Sequence, residues 1–251
     1  MLRNVNNLSG YAIIAKDGEL GKVSEFFFDD YTWSIRYLVV ETGSWLSERK
    51  VLIPHSALGV TNWDARTFNV NLTMEQVRNS PDIETQKTVS RQHEIELLSY
   101  YALPVYWGDA LYAGPAGMAP LTPIIASQTI RDNAAAAEGH DDPNLRSTKK
   151  VTGYYIEAND GEIGHVGDFI VDDNKWNIHF LVVDTNNWLP GRKVLIMPFW
   201  IDRINWEESK VYINLSKEFI KNSPEFDPSK PIDKYYEKEL LNHYGEHKKQ
   251  H

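Results

Sequence analysis

The chain has 251 residues, 26 Lys plus Arg against 35 Asp plus Glu, a formal net charge of −9, no cysteine and 42% hydrophobic residues. That size and apolar content predict a folded globular protein, either one large domain or two modules of ordinary size. The lack of cysteine excludes disulfides, iron–sulfur clusters, thiolate zinc sites and a cysteine nucleophile, and the acidity argues against broad binding to nucleic acid or anionic lipid, whose phosphates require a dense basic surface.

The opening MLRNVNNLSGYAII has one early basic residue but neither the apolar run nor the small-residue cleavage site of a secretory signal. No apolar stretch approaches the roughly 20 residues of a membrane-spanning helix, so the expected address is the cytoplasm. Short strands follow at 11–15, 21–29, 35–41, 50–54 and 68–72, punctuated by turn residues, which is the pattern of a small β-barrel. Asp17-Gly18 is read as a tight hairpin, with glycine supplying a positive φ. The continuous apolar run Tyr37-Leu38-Val39-Val40 predicts a strand buried on both faces. Thr73, with Glu75 and Gln76 behind it, predicts a capped helix that Pro81 stops, and 90–101 reads as a second helix whose apolar face docks on the barrel. Residues 102–150 are rich in Pro, Gly and Ala and predict a largely irregular linker. Its Tyr106, Trp107 and Tyr112 leave open whether the first half packs on the barrels. Beyond it the pattern of strands returns, closing with a helix over 233–244, Gly245 as its terminator and a charged tail.

The return is a duplication. Laying residue 153 onto residue 10 aligns roughly ninety residues without a gap at roughly 40% identity. Gly10-Tyr11 recurs as Gly153-Tyr154, Asp17-Gly18-Glu19 with Gly21 as Asp160-Gly161-Glu162 with Gly164, and Asp29-Asp30 with Trp33 as Asp172-Asp173 with Trp176. Further on, LVVET (38–42) matches LVVDT (181–185), Trp45-Leu46 with RKVLI (49–53) matches Trp188-Leu189 with RKVLI (192–196), and Asn79-Ser80-Pro81 matches Asn222-Ser223-Pro224.

With these motifs in hand, each copy resembles a PRC-barrel domain, the module of the cytoplasmic part of the photosynthetic reaction-centre H subunit and of the RimM-type ribosome-maturation factor. The resemblance implies a six-stranded barrel that works as an adaptor docking on membrane proteins or on a ribosomal protein. The chain lacks the transmembrane helix of the first and the separate N-terminal domain of the second. It is most similar in layout to free-standing, often duplicated bacterial PRC-barrel proteins. One departure is visible: the second copy reads RKVLIMP, with Met197 ahead of Pro198, where the first copy reads RKVLIP.

Chemistry is sparse. The acidic pairs Asp29-Asp30 and Asp172-Asp173 read as hairpin turns and do not supply the alternating ligands of an EF-hand loop, so no metal and no cofactor is expected. The eight histidines show no HxH or HExxH spacing; His165 and His179 stand where the first copy has Lys22 and Arg36, which predicts a solvent-facing polar position. No nucleophile elbow, P-loop or dinucleotide fingerprint occurs, and no catalytic residue is assigned. The candidate binding residues are Trp45, Arg49 and Lys50, repeated as Trp188, Arg192 and Lys193, because an indole beside two cations is a frequent interface anchor. The competing reading makes Trp45 a cap on the barrel and lets Arg49 and Lys50 pair with nearby acids.

The expected organisation is a first barrel with its helices over 1–101, a linker over 102–150, a second barrel with its helices over 151–245 and a tail over 246–251. The expected function is that of a non-enzymatic protein-binding adaptor, reaching a membrane complex of the electron-transport or reaction-centre kind only through its partner. Two alternatives stay open, RNA or ribosome association, which the acidity disfavours, and a small-ligand-binding barrel. DNA is not an expected partner. Two identical modules that once paired as a dimer fuse naturally about a pseudo-two-fold axis, and pairing of the whole chain into a homodimer obeys the same symmetry.

Overall fold

Two long bent strands, one in each repeat, organise the molecule. The computed structural model describes residues 1–81, 91–103, 145–185 and 191–248. The first repeat contributes β1 (Leu2–Asn4), β2 (Ala12–Ala15), β3 (Gly18–Asp29), β4 (Ser34–Glu41), β5 (Lys50–Pro54), β6 (Leu58–Asn62) and β7 (Thr67–Val70). The second contributes β8 (Leu145–Ser147), β9 (Tyr155–Ala158), β10 (Gly161–Asp172), β11 (Ile178–Asp184), β12 (Lys193–Ile196), β13 (Ile201–Asn205) and β14 (Lys210–Ile213). These form two mixed seven-stranded sheets, with paths β5-β4-β3-β2-β7-β6 and β12-β11-β10-β9-β14-β13. The remaining strands lie off the paths: β1 pairs with β10 and β8 with β3. Among the described residues the helices are short apart from the last: α1 (Val5–Leu8), α2 (Met74–Arg78), α3 (Arg91–Tyr100), α4 (Thr148–Val151), α5 (Lys217–Lys221) and α6 (Lys234–Lys248). The chain is thus mainly β with short helices, as the strand pattern predicts.

The chain separates into two compact units that cross the boundaries of the repeats. One gathers Met1–Gly10, Glu25–Arg36 and Ser147–His251, and the other Tyr11–Ser24 and Tyr37–Arg146. In the second of these, Tyr37, Leu38, Val39 and Val40 of β4 are at most 1% exposed, so the strand read as doubly buried is so. α3 buries Glu94, Leu97 and Leu98, spaced to share one face, and the Tyr37 hydroxyl donates to the Glu94 carboxylate at 3.2 Å. In the first unit the edge strand β12 is covered by the C-terminal chain: Phe226 N–H donates to the Lys193 carbonyl at 2.8 Å and the Tyr244 hydroxyl to the Leu195 carbonyl at 2.5 Å. Covering an edge in this way removes a template for unwanted strand pairing.

Within that same unit the hairpin tips of the two repeats meet reciprocally. Ile35 N–H donates to the Trp176 carbonyl and Ile178 N–H to the Trp33 carbonyl, both at 2.7 Å, with a bridge between Ser34 and Asn177 at the centre. Each residue of one repeat meets the counterpart of its partner's position in the other, which is the signature of a two-fold contact. Phe26 stacks on Trp176 at 6.1 Å and Phe28 packs on Phe169 at 5.6 Å around it.

Several expectations are corrected. β6 and β13 are strands that the sequence reading omits, and the final segment of the expected linker holds β8 and α4, with its residues 104–144, including Tyr106, Trp107 and Tyr112, outside the described residues. Gly245 does not end the last helix, because α6 continues to Lys248. Gly161 has the predicted positive φ of +123°, whereas Gly18 does not; in both copies the positive φ common to the motif lies three residues on, at Gly21 (+146°) and Gly164 (+141°). The reason is a bulge: β2 and β3 pair Ile13 with Gly21 and then Ile14 with Glu19, so Leu20 has no opposite residue. The glycine then lets the strands close up, since a Cβ on Gly21 would lie 2.0 Å from the Glu41 carbonyl oxygen, and one on Gly164 2.0 Å from that of Asp184.

Candidate functional site

The loop joining β4 to β5 carries the sequence-predicted residues Trp45, Arg49 and Lys50. It is a 3-10 turn, Gly43–Leu46, followed by Ser47 and Glu48 with φ of +53° and +57°. Two consecutive non-glycine residues in the left-handed region store strain, and the surrounding bonds hold them there. Glu48 N–H donates to the Gly43 carbonyl at 2.8 Å, and Thr42 reaches the Arg49 carbonyl with its N–H at 3.1 Å and its hydroxyl at 2.7 Å. The second copy keeps the outer frame, with the Thr185 hydroxyl on the Arg192 carbonyl at 2.8 Å, but places Gly191 (φ +81°) where the first has Glu48.

Each predicted residue has a definite place. The half-buried Trp45 donates its indole N–H to the Leu20 carbonyl at 2.7 Å, the carbonyl of the bulge residue, and the Arg78 guanidinium lies over the ring at 5.8 Å. Arg49 donates to the carbonyls of Arg78, Ser80 and Pro81 at 3.2, 2.9 and 3.1 Å. These oxygens lie at the C-terminal end of α2, where a cation complements the helix dipole. Arg192 repeats the arrangement with its hydrogen bond to the Ser223 carbonyl. Lys50 pairs with Glu41 at 3.2 Å and Lys193 with Asp184 at 2.5 Å. Trp188 and Leu189 lie outside the described residues. Trp45, Arg49 and Lys50 therefore converge on one loop, with the indole and guanidinium directed into the module and Lys50 at its surface.

The opposite end of α2 shows what the Asp-Gly motif does beyond turning the chain. Asp17 accepts the Met74 N–H at 2.8 Å, and Asp160 accepts the Lys217 N–H of α5 at 2.8 Å. Thr73 and Gln76 complete a capping box at the start of α2, as the sequence predicts. Asp17 and Arg49 thus hold the two ends of a five-residue helix that would not form alone. The acidic pairs serve as turns: Asp29 accepts the N–H groups of Tyr31 and Thr32, and Asp172 that of Asn174. His179 is exposed, in keeping with a solvent-facing position, and His165 is half-buried.

Beside the loop an open cleft of about 540 Å³ is lined by Gly21, Lys22, Glu41, Gly43, Glu48 and Lys50. Two lysines and two glutamates line a floor of glycine backbone, a surface suited to polar chain and to paired charges. Sequence reading missed Lys22, Glu41 and Glu48; the close approach at Gly21, which brings β3 beside the end of β4, is what gathers them.

Among the described residues no three His, Asp or Glu side chains gather into a metal-holding group, and no helix is long and apolar enough to cross a membrane. The fold and loop define a tandem of small mixed β modules, each built on a bulged strand and a short helix pinned at both ends. Residues 2–73 match the PRC-barrel domain family, so the chain carries a PRC-barrel domain in its first repeat, and its second repeat follows the same strand order. No curated protein matches the chain.

Proposed function

We propose that the protein is a non-enzymatic adaptor that binds a protein partner at the cleft beside the β4–β5 loop. The observation that carries this reading is the backbone strain at Ser47 and Glu48 on the cleft rim, in a loop anchored through Trp45 and Arg49. Strain retained at a surface loop marks a position kept for something other than stability. The anchored loop brings Glu48 and Lys50 to the cleft that Lys22 also lines, with Leu46 in the same turn, without the entropy loss that ordering on contact would bring. The charge pattern balances two cations against two anions, which suits a polar peptide surface better than the uniformly negative backbone of RNA. Attachment to a membrane complex of the electron-transport kind would, on this reading, run through the partner.

The test places a photo-crosslinking residue at Leu46 and, as a control, at Tyr235, in cell extract. A discrete protein adduct at position 46 that is absent at 235 and is lost on adding Lys22→Glu supports the reading. Equal adducts at both positions, or an adduct indifferent to Lys22→Glu, removes it, and an RNA adduct sensitive to salt moves the assignment to ribosome association.

A further inference from the structure

The first ten residues, Met1–Gly10, belong to one compact unit, and Tyr11–Ser24, which follow directly, to the other. The arm is held in its unit by partners far along the sequence. Leu2 lies opposite Asp172, Arg3 opposite Val171 and Asn4 opposite Ile170, pairing the arm along one edge of β10. The Arg3 guanidinium meets the Asp173 carboxylate at 2.6 Å. Asp168, only 7% exposed, accepts the Asn6 N–H at 3.1 Å, and the Asn6 side-chain amide donates to the Gly167 carbonyl at 3.3 Å. Val5 and Leu8 are buried, at 2% and 1% exposure. This is recognition by strand addition, with backbone pairing for affinity and side-chain contacts for register. Nothing in these contacts depends on the arm and β10 being in one molecule.

Two further observations bear on where the arm can come from. At its exit Ser9 is extended and Gly10 has φ of +81°, with no atom within 4 Å of where a Cβ would stand, which makes an open hinge. The device also occurs twice: Leu145-Arg146-Ser147 repeats Leu2-Arg3-Asn4, and β8 pairs with β3 as β1 does with β10. The Ser147 hydroxyl bonds the Glu25 carboxylate, and Phe26 N–H donates to the Thr148 hydroxyl at 3.2 Å. Glu25 occupies the position of Asp168 in this second use.

We propose that the edge of β10 from Asp168 to Asp172, with Asp173 just beyond it, is a strand-docking site that accepts the arm Leu2–Leu8 of a second copy of this chain as well as its own, so that two chains trade arms. Exchange conserves every contact of the docked arm and costs only loop closure, which changes slowly with loop length, so the exchanged dimer gains ground as concentration rises. This inference is independent of the cleft, which lies in the other unit.

The native chain has no cysteine, which gives a clean test. Asp173 N–H donates to the Met1 carbonyl at 2.9 Å, so the next pair, Leu2 and Asp172, is of the closer non-hydrogen-bonded type in which a disulfide fits. Full chains carrying Leu2→Cys are mixed with full chains carrying Asp172→Cys under mild oxidation, with Leu2→Cys plus Ser229→Cys as the collision control. A second register pair, Asn4→Cys with Ile170→Cys, guards against misfolding of either variant. The expected result is a mixed disulfide dimer about tenfold above the control, increasing with concentration and abolished by adding Arg3→Glu to the arm. A mixed dimer no more abundant than the control for both register pairs, with each doubly substituted chain closing internally, overturns the exchange.

Discussion

Trp45 donates its indole N–H to the carbonyl of Leu20, a residue that the β-bulge has left without an opposite partner. The bulge creates an orphan acceptor and the loop supplies its donor, so two motifs twenty-five positions apart form one unit. Replacing Trp45 with Phe keeps most of the ring and removes the donor. The expected loss is about 1–2 kcal/mol, read as a lower denaturant midpoint at unchanged slope, whereas a purely apolar role for the ring predicts almost none.

Gly21 and Gly164 admit no side chain. A Cβ at either would stand 2.0 Å from a carbonyl oxygen of the neighbouring strand, and both residues have φ above +140°. Alanine at either position is expected to cost about 3–5 kcal/mol, since neither the clash nor the torsion can be relieved by moving a flexible side chain. Thermal unfolding followed by circular dichroism measures the loss, and Gly10→Ala, where space is open, should cost markedly less.

Glu48 occupies a left-handed conformation that its counterpart Gly191 adopts without strain. Glu48→Gly is expected to stabilise the fold by about 1 kcal/mol. If the cleft binds a protein, the same substitution reduces crosslinking at position 46. Gain of stability with loss of binding would separate the two demands on this residue.

Burial pushes the pKa of Asp168 up to about 6, although the N–H groups of Phe169 and Asn6 and the nearby Lys193 favour its charged form. A carboxyl whose pKa is higher in the folded than in the unfolded chain is most favourable to folding at low pH. Its contribution is complete below about pH 4, is lost as pH rises through about 6, and amounts to about 3 kcal/mol. Asp168→Asn keeps an acceptor for both N–H groups and removes the charge. It should raise the unfolding midpoint at pH 7 and flatten the stability profile between pH 4 and 6, leaving stability below pH 4 nearly unchanged.

The repeat, the buried LVV strand and the capping box at Thr73 are legible because each is a local pattern with its own periodicity or spacing. The arm is not, since a three-residue strand and a four-residue helix give LRNVNNL no periodicity. Its only mark is that Leu2-Arg3 and Leu145-Arg146 stand at the same separation as the rest of the repeat, just outside the aligned span. β6 is not legible either, because Leu58–Asn62 is nowhere fully buried and shows no clean alternation. At the candidate site, the residue types Trp45, Arg49 and Lys50 could be read as a group, but their directions could not. Which carbonyl receives an indole or a guanidinium depends on the bulge at Leu20 and on the end of α2, both fixed by tertiary packing. Gly245 shows the converse, a residue with terminator chemistry that the helix passes through without stopping.

The unit that holds the N-terminal arm also needs Glu25–Arg36 and everything from Ser147 onward. During synthesis the arm therefore leaves the ribosome well before its docking strand, which lies more than 150 residues further along the sequence. For that interval Val5 and Leu8 have no β10 to cover them, and the β3–β4 hairpin waits for its counterpart. Pairings this distant in sequence form slowly and leave apolar surface exposed while they do so. Neighbouring nascent chains on one messenger present bare arms and newly made docking strands side by side, so translation itself is the stage at which arms of different molecules are closest to changing places.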